Sequence, residues 1–212
     1  MLLTQKLILL AVLAVDVACS HRPAPSLIAV DDSAGQPARQ CSEASGYFTN
    51  TAIADHELWY GKHLLAMHET PLCIRPGLHI ETYRLTWLPS FNHSVIVRLE
   101  LDSGKYLLHA RSETGAGGYE PGSLAHDSVM ALDSGDVRVL SDLLQRSNFW
   151  TMPTILPRPG GIDGAQWIME GLVGNRYHVV DRWSPQPDGA DSTYRELAAW
   201  LLSKSGLASR VY

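Results

Sequence analysis

AQWIMEGLVGNRYHVVDRW, residues 165–183, holds two apolar runs separated by turn-forming residues. Ala165–Gly171 and Arg176–Trp183 are rich in β-branched and aromatic side chains, and Val173-Gly174-Asn175 lies between them. That pattern reads as an antiparallel hairpin. With Val173–Asn175 as the loop, Gly171 falls opposite Tyr177 and Glu170 lies near His178. Trp167, Met169, Tyr177 and Val179 then share the face expected to meet the core. Gln166, Glu170, His178 and Arg182 share the other, with Ile168 and Val180 between them. Sliding the register by one residue mixes polar and apolar side chains on both faces, so the pattern favours this pairing. A glutamate and a histidine on adjacent strands can pass a proton, and an arginine beside them can hold an anion. Glu170, His178 and Arg182 are therefore the candidate catalytic residues. The plainer reading is a solvated sheet face crossed by weak charge pairs.

Upstream, residues 79–88 alternate, with Tyr83, Leu85 and Trp87 on one side and Arg84 and Thr86 on the other. Residues 94–101 alternate more cleanly: Val95, Val97, Leu99 and Leu101 against Arg98 and Glu100. Both are the pattern of half-buried strands. Asp102-Ser103-Gly104 turns the chain into a further strand, Lys105 to Arg111. A glycine-rich loop follows at 113–123, then a short strand at 128–132. The spacing predicts a helix over Ala52–His68 carrying Ile53, Leu58, Leu64, Leu65 and Met67, stopped by Pro71. A second spans Asp136–Asn148 with Ser134 as its cap and Val137, Leu140, Leu143 and Leu144 as its stripe. A third, Ser192–Ser205, carries Leu197, Trp200 and Leu201 and ends at Gly206. Hairpins with helices between them make an α+β fold, a mostly antiparallel sheet of two hairpins with helices packed on one face.

The chain has 212 residues, 45% hydrophobic and 18% charged, which suits one globular domain and excludes a disordered polymer. Acidic residues outnumber basic ones 22 to 17, and no basic run stands out, so nucleic acid is not an expected partner.

At the N-terminus Lys6 precedes an unbroken apolar run, Leu7 to Val15. A membrane-spanning helix needs about 20 such residues, so the run matches the apolar core of a secretory signal peptide instead. Ala18 before Cys19 resembles the end of a bacterial lipobox, which would make Cys19 a lipid-bearing N-terminus. Asp16 departs from that pattern, and ordinary cleavage after Ser20 stays open. Residues 1–19 are thus read as a signal peptide, 20–45 as a flexible tether of proline, alanine, glycine and polar residues, and 46–212 as a single α+β domain. Either cleavage removes Cys19 from pairing. Cys41 and Cys73 then form an even pair in an oxidising compartment, where a disulfide is the natural reading. No CxxC or closely spaced Cys/His group is present, so no metal or other cofactor is expected.

Other polar groups carry less. Ser184, His178 and Asp163 could be drawn as a triad, but no GxSxG elbow surrounds the serine. The loop GAGGYEPG lacks the lysine and hydroxyl ending of a phosphate-binding loop, so its glycines read as turn formers. His56, His63 and His68 are spaced seven and five apart rather than four, and read as ordinary helix histidines. The six tryptophans could stack on carbohydrate, yet Trp87, Trp167 and Trp200 sit at core positions, and packing is the favoured role.

The segments YRLTWLPSF (83–91), SNFWTMP (147–153) and GIDGAQWIMEG…YHVVDRWSP (161–185) resemble a family of uncharacterised bacterial exported proteins. The resemblance covers roughly residues 80–205, with DGAQW…RWSP its most specific part. It implies an envelope location and a single domain, and it carries over no activity. The expectation is an exported cell-envelope protein at the periplasmic side, anchored to the membrane by lipid, that binds an envelope protein or a small ligand. The alternative is a periplasmic hydrolase using Glu170 and His178.

Overall fold

A computed structural model describes residues 46–48, 51–72, 81–156, 161–208 and 211. The expected leader, the lipid-bearing Cys19, the tether and the Cys41–Cys73 pair lie outside the described residues.

The chain forms an α+β fold around one six-stranded antiparallel sheet. Its strands are β1 (Glu81–Pro89), β2 (His93–Asp102), β3 (Lys105–Ala116), β4 (Leu124–Ala131), β5 (Ala165–Val173) and β6 (Arg176–Trp183). They lie in the order β4-β3-β2-β1-β5-β6. Three helices accompany the sheet: α1 (Glu57–Ala66), α2 (Ser134–Ser147) and α3 (Ser192–Ser205). The sheet is mostly antiparallel hairpins in one continuous layer. β1 joins them by pairing with β2 on one side and β5 on the other.

One sheet face is apolar. Tyr83, Leu85 and Trp87 of β1, Val95, Val97 and Leu99 of β2, and Trp167 and Met169 of β5 are buried there under α2 and α3. Leu140, Leu143 and Leu144 come from α2; Tyr194, Leu197 and Leu201 come from α3. Burial of this stripe is what makes each short helix stable, since an isolated helix of this length is marginal in water. Asp133, not Ser134, caps α2, accepting from the backbone N–H groups of Gly135 and Asp136 at 2.7 and 2.8 Å. A carboxylate at that end also complements the helix dipole.

Helices were expected on one face only, and here the fold differs. α1 packs on the opposite face, where Ile53, Tyr60, Leu64 and Met67 meet Ile96, Ile168, Leu172 and Val179. Strands β1 and β2 are accordingly buried on both faces, and Arg84 is completely enclosed. Charged residues in strict alternation ordinarily mark a solvated face. These charges are buried because Glu69, just beyond α1, and Glu170 of β5 supply matching carboxylates. From the helix's expected apolar set, Leu58 and Leu65 are instead exposed at 88% and 68%.

The register of the last hairpin also differs from expectation. Val173 pairs with Arg176, leaving Gly174 and Asn175 as a two-residue turn with Gly174 at φ 57°. Positive φ at the first turn residue is the geometry such hairpins need. The shorter loop places Gly171 opposite His178 and Glu170 opposite Val179. Because side chains alternate faces, that single-residue slip sends Glu170 and His178 to opposite sides of the sheet.

Candidate ligand-binding cleft

On the α1 face, Glu170 is wholly buried and held by its neighbours. Nε of Arg84 donates to its Oε2 at 2.7 Å, the charged Nη2 lies 2.6 Å from the same oxygen, and the Tyr177 hydroxyl donates to Oε1 at 2.9 Å. Burial pushes the Glu170 carboxyl up, against the pull of Arg84 and Tyr177 in the other direction. Both oxygens are thus engaged inside the protein. His178 lies beyond the sheet, its ring edge-on to Phe149 with centroids 5.2 Å apart. Arg182, on the same side as His178, donates to Asp191 at 3.0 Å and to the carbonyls of Pro153 and Thr154 at 2.8 and 2.9 Å. The three candidate residues therefore share no site, and proton transfer between Glu170 and His178 has no path through the sheet. Nor does the drawn triad assemble. Ser184 is six strand residues from His178, about 20 Å along the chain, and its hydroxyl accepts from the Ala165 N–H at 2.9 Å.

What the α1 face carries instead is a set of polar ties. Glu69, just beyond α1, accepts from three arginines: Arg84 at 3.3 Å, Arg98 at 3.1 Å and Arg111 at 2.9 Å. His63, in α1, meets Glu113 of β3 at 2.5 Å, both side chains fully enclosed. Ser94 Oγ lies 3.5 Å from the same His63 nitrogen, Nδ1. A serine–histidine–acid relay needs the acid on one ring nitrogen and the serine on the other. With both on Nδ1, this trio is a clamp rather than a relay. Tyr60 completes the series, donating to Asp181 of β6 at 2.9 Å, while Gln166 donates to the other oxygen of that carboxylate. Burial pushes the Asp181 carboxyl up, against Gln166, Tyr60 and the charges of His56 and Arg182.

These ties fix one wall of a half-open cleft of about 400 Å³. Trp59 and Tyr60 of α1 form that wall. Tyr119, in the turn between β3 and β4, and Phe91, in the turn between β1 and β2, line the same cleft. Gln166, Asp163 and Trp183 line it as well. Two glycines allow the walls to approach. A Cβ at Gly117 would lie 2.4 Å from the Leu88 backbone, and one at Gly164 would lie 2.8 Å from the Trp183 ring. Neither contact leaves room for a side chain. Lys62 sits 3.6 Å above the Trp59 ring while donating to Glu120 at 2.8 Å.

Phe91 and Tyr119 are exposed at 61% and 60%, although large aromatic side chains ordinarily bury most of their surface. A second hollow of about 330 Å³ shares Phe91 and Asp163 with the first and ends at Arg195. Trp87 and Trp167 are core residues as expected, with ring centroids 6.5 Å apart. Trp59 and Trp183 are the tryptophans that reach the cleft. Nothing in their local spacing marks them, because the cleft gathers short pieces distant in the chain. The expected glycine-rich loop was the one visible signal. Its Gly117 and Gly118 pack closely against Leu88 and Ser90, at the end of β1 beside the cleft.

Among the described residues no group of His, Cys, Asp and Glu side chains is arranged to hold a metal, and no helix is long and apolar enough to cross a membrane. No family model matches the chain, and no curated protein aligns with it significantly.

Proposed function

We propose that the chain is an exported bacterial cell-envelope protein, a binding or interaction module tethered by lipid on Cys19, and that it holds a small ligand in the aromatic cleft. Phe91 and Tyr119, both exposed and lining one hollow with Trp59, carry the binding part of this reading. Ligand sites are concave, largely apolar and supplied with a few fixed polar groups, and this cleft has all three properties. The apolar run Leu7–Val15 and the Ala18-Cys19 step support export and tethering.

The full chain expressed in a bacterial host and isolated from its envelope tests both parts by intact mass. A mass beginning at acylated Cys19, two hydrogens light for the Cys41–Cys73 bond, is the expected result. A mass beginning at His21 overturns the lipid tether. Native mass spectrometry of the same preparation should show a small molecule that is lost on denaturation and absent from Phe91→Ala. Retention of that molecule by a Phe91→Ala, Tyr119→Ala double variant would overturn the cleft as its site.

A further inference from the structure

We infer that the cleft and its neighbouring hollow form one groove for a neutral saccharide chain. This rests on the reading of the cleft as a ligand site and names the ligand's chemistry. A pyranose presents an apolar C–H face and a rim of hydroxyls. It therefore needs exposed ring faces with hydrogen-bonding groups set among them.

The groove offers that combination. Phe91 and Tyr119 expose more than half their surface and Trp59 exposes 39%, all at one cleft. Ser90, Asp163 and Gln166 line the same cleft and bring hydrogen-bonding groups to it. Trp59 is held in place, with Lys62 3.6 Å above its ring and His63 edge-on at 5.9 Å. A ring fixed before binding loses little conformational freedom when a ligand arrives.

The electrostatics argue against other ligand classes. Asp163 lines both hollows; among the described lining residues the larger one has His56 but no lysine or arginine, and Arg195 lines the smaller one alone. A phosphate or carboxylate group in the larger hollow would meet the like charge of Asp163. An acyl chain calls for an enclosed apolar tunnel, whereas this cleft is half open and set with polar side chains. The second hollow, joined through Phe91 and Asp163, extends the groove beyond one sugar ring. Phe91 stands at the junction, where it can stack against the unit linking both parts.

The test is isothermal titration of the full chain with β-1,4-linked glucose, β-1,4-linked N-acetylglucosamine and α-1,4-linked glucose tetrasaccharides, each beside its disaccharide. Dodecanoate serves as an apolar control. At least one tetrasaccharide is expected to bind saturably and more tightly than its disaccharide. Phe91→Ala and Tyr119→Ala should each weaken it about tenfold, the scale of one lost ring contact. Their side chains are largely exposed, so thermal melting should stay near that of the parent. If dodecanoate binds, is weakened by Phe91→Ala, and no saccharide binds, the saccharide assignment falls and the ligand-site reading stands. If no probe binds and native mass spectrometry finds no retained molecule, both fall. Saccharide binding unaffected by either variant also overturns the groove.

Discussion

The two faces of the sheet solve burial in opposite ways. Under α2 and α3, the side chains of Leu85, Val97, Leu99 and Met169 are apolar and interlock by shape alone. Under α1, the same strands present Arg84, Arg98 and Glu170, which are buried only because specific partners neutralise them. An apolar face accepts any arrangement that fills the space. A charged face accepts only the arrangement that satisfies each group, because an unpaired buried charge is very costly. The difference suggests a division of labour. The apolar face supplies most of the stability, and the charged face fixes where α1 sits, and with it the Trp59 and Tyr60 wall of the cleft.

Removing one charge should therefore cost more than disturbing one apolar side chain. Arg84→Met strands Glu170 and weakens the hold on Glu69, and the loss of unfolding free energy should reach about 3–5 kcal/mol. Adding Glu170→Leu to it should recover part of that loss, because the stranded carboxylate is gone. Urea unfolding of the single and double variants at neutral pH measures both. A double variant less stable than Arg84→Met would show that the pair is not the unit of this face. The counterpart on the apolar face is Leu99→Met, a change at a fully buried position that keeps volume and polarity nearly constant. It should cost less than about 1.5 kcal/mol in the same assay. Equal losses at Arg84 and Leu99 would erase the contrast between the faces.

The apolar face was the legible one. Period-two alternation through Tyr83–Trp87 and Val95–Leu101 marked its strands, and period-3.6 spacing marked α2 and α3. The charged face was not, for two physical reasons. Alternating Arg84, Arg98 and Glu100 have the pattern of a solvated surface, and the residue that makes burial feasible, Glu69, lies in a different segment with no local signature. The second reason is the turn at Gly174-Asn175. A loop one residue longer gave an equally tidy polar face, and only the left-handed Gly174 distinguishes the two. That small difference moved Glu170 away from His178 and removed the candidate catalytic pair. The cleft was hidden more deeply still, since Trp59, Phe91, Tyr119, Asp163 and Trp183 come together only through the sheet order.

The smallest expected effect concerns acid, and it again separates the faces. His178 packs on the apolar side against Phe149 and Trp150, where burial pushes its imidazole below the ordinary value of 6.5; Arg176 and Arg182 push the same way, while the backbone at Met152 and Phe149 opposes them. The folded protein resists a proton that the unfolded chain accepts near pH 6.5, so the stability tied to neutral His178 is present above that pH and declines below it. On the charged side, burial raises the Asp181 carboxyl. There the folded state takes up a proton more readily than the unfolded chain, and acidification works in the stabilising direction. His178→Phe keeps an aromatic ring against Phe149 and Trp150 but cannot titrate. Urea midpoints measured at pH 7 and pH 5 should therefore fall less for His178→Phe than for the parent. Some slope should survive, because His109 is also pushed down, chiefly by burial and then by Arg98. An unchanged slope in His178→Phe would place the acid sensitivity on the charged face, with His109 and Glu100 the next pair to vary.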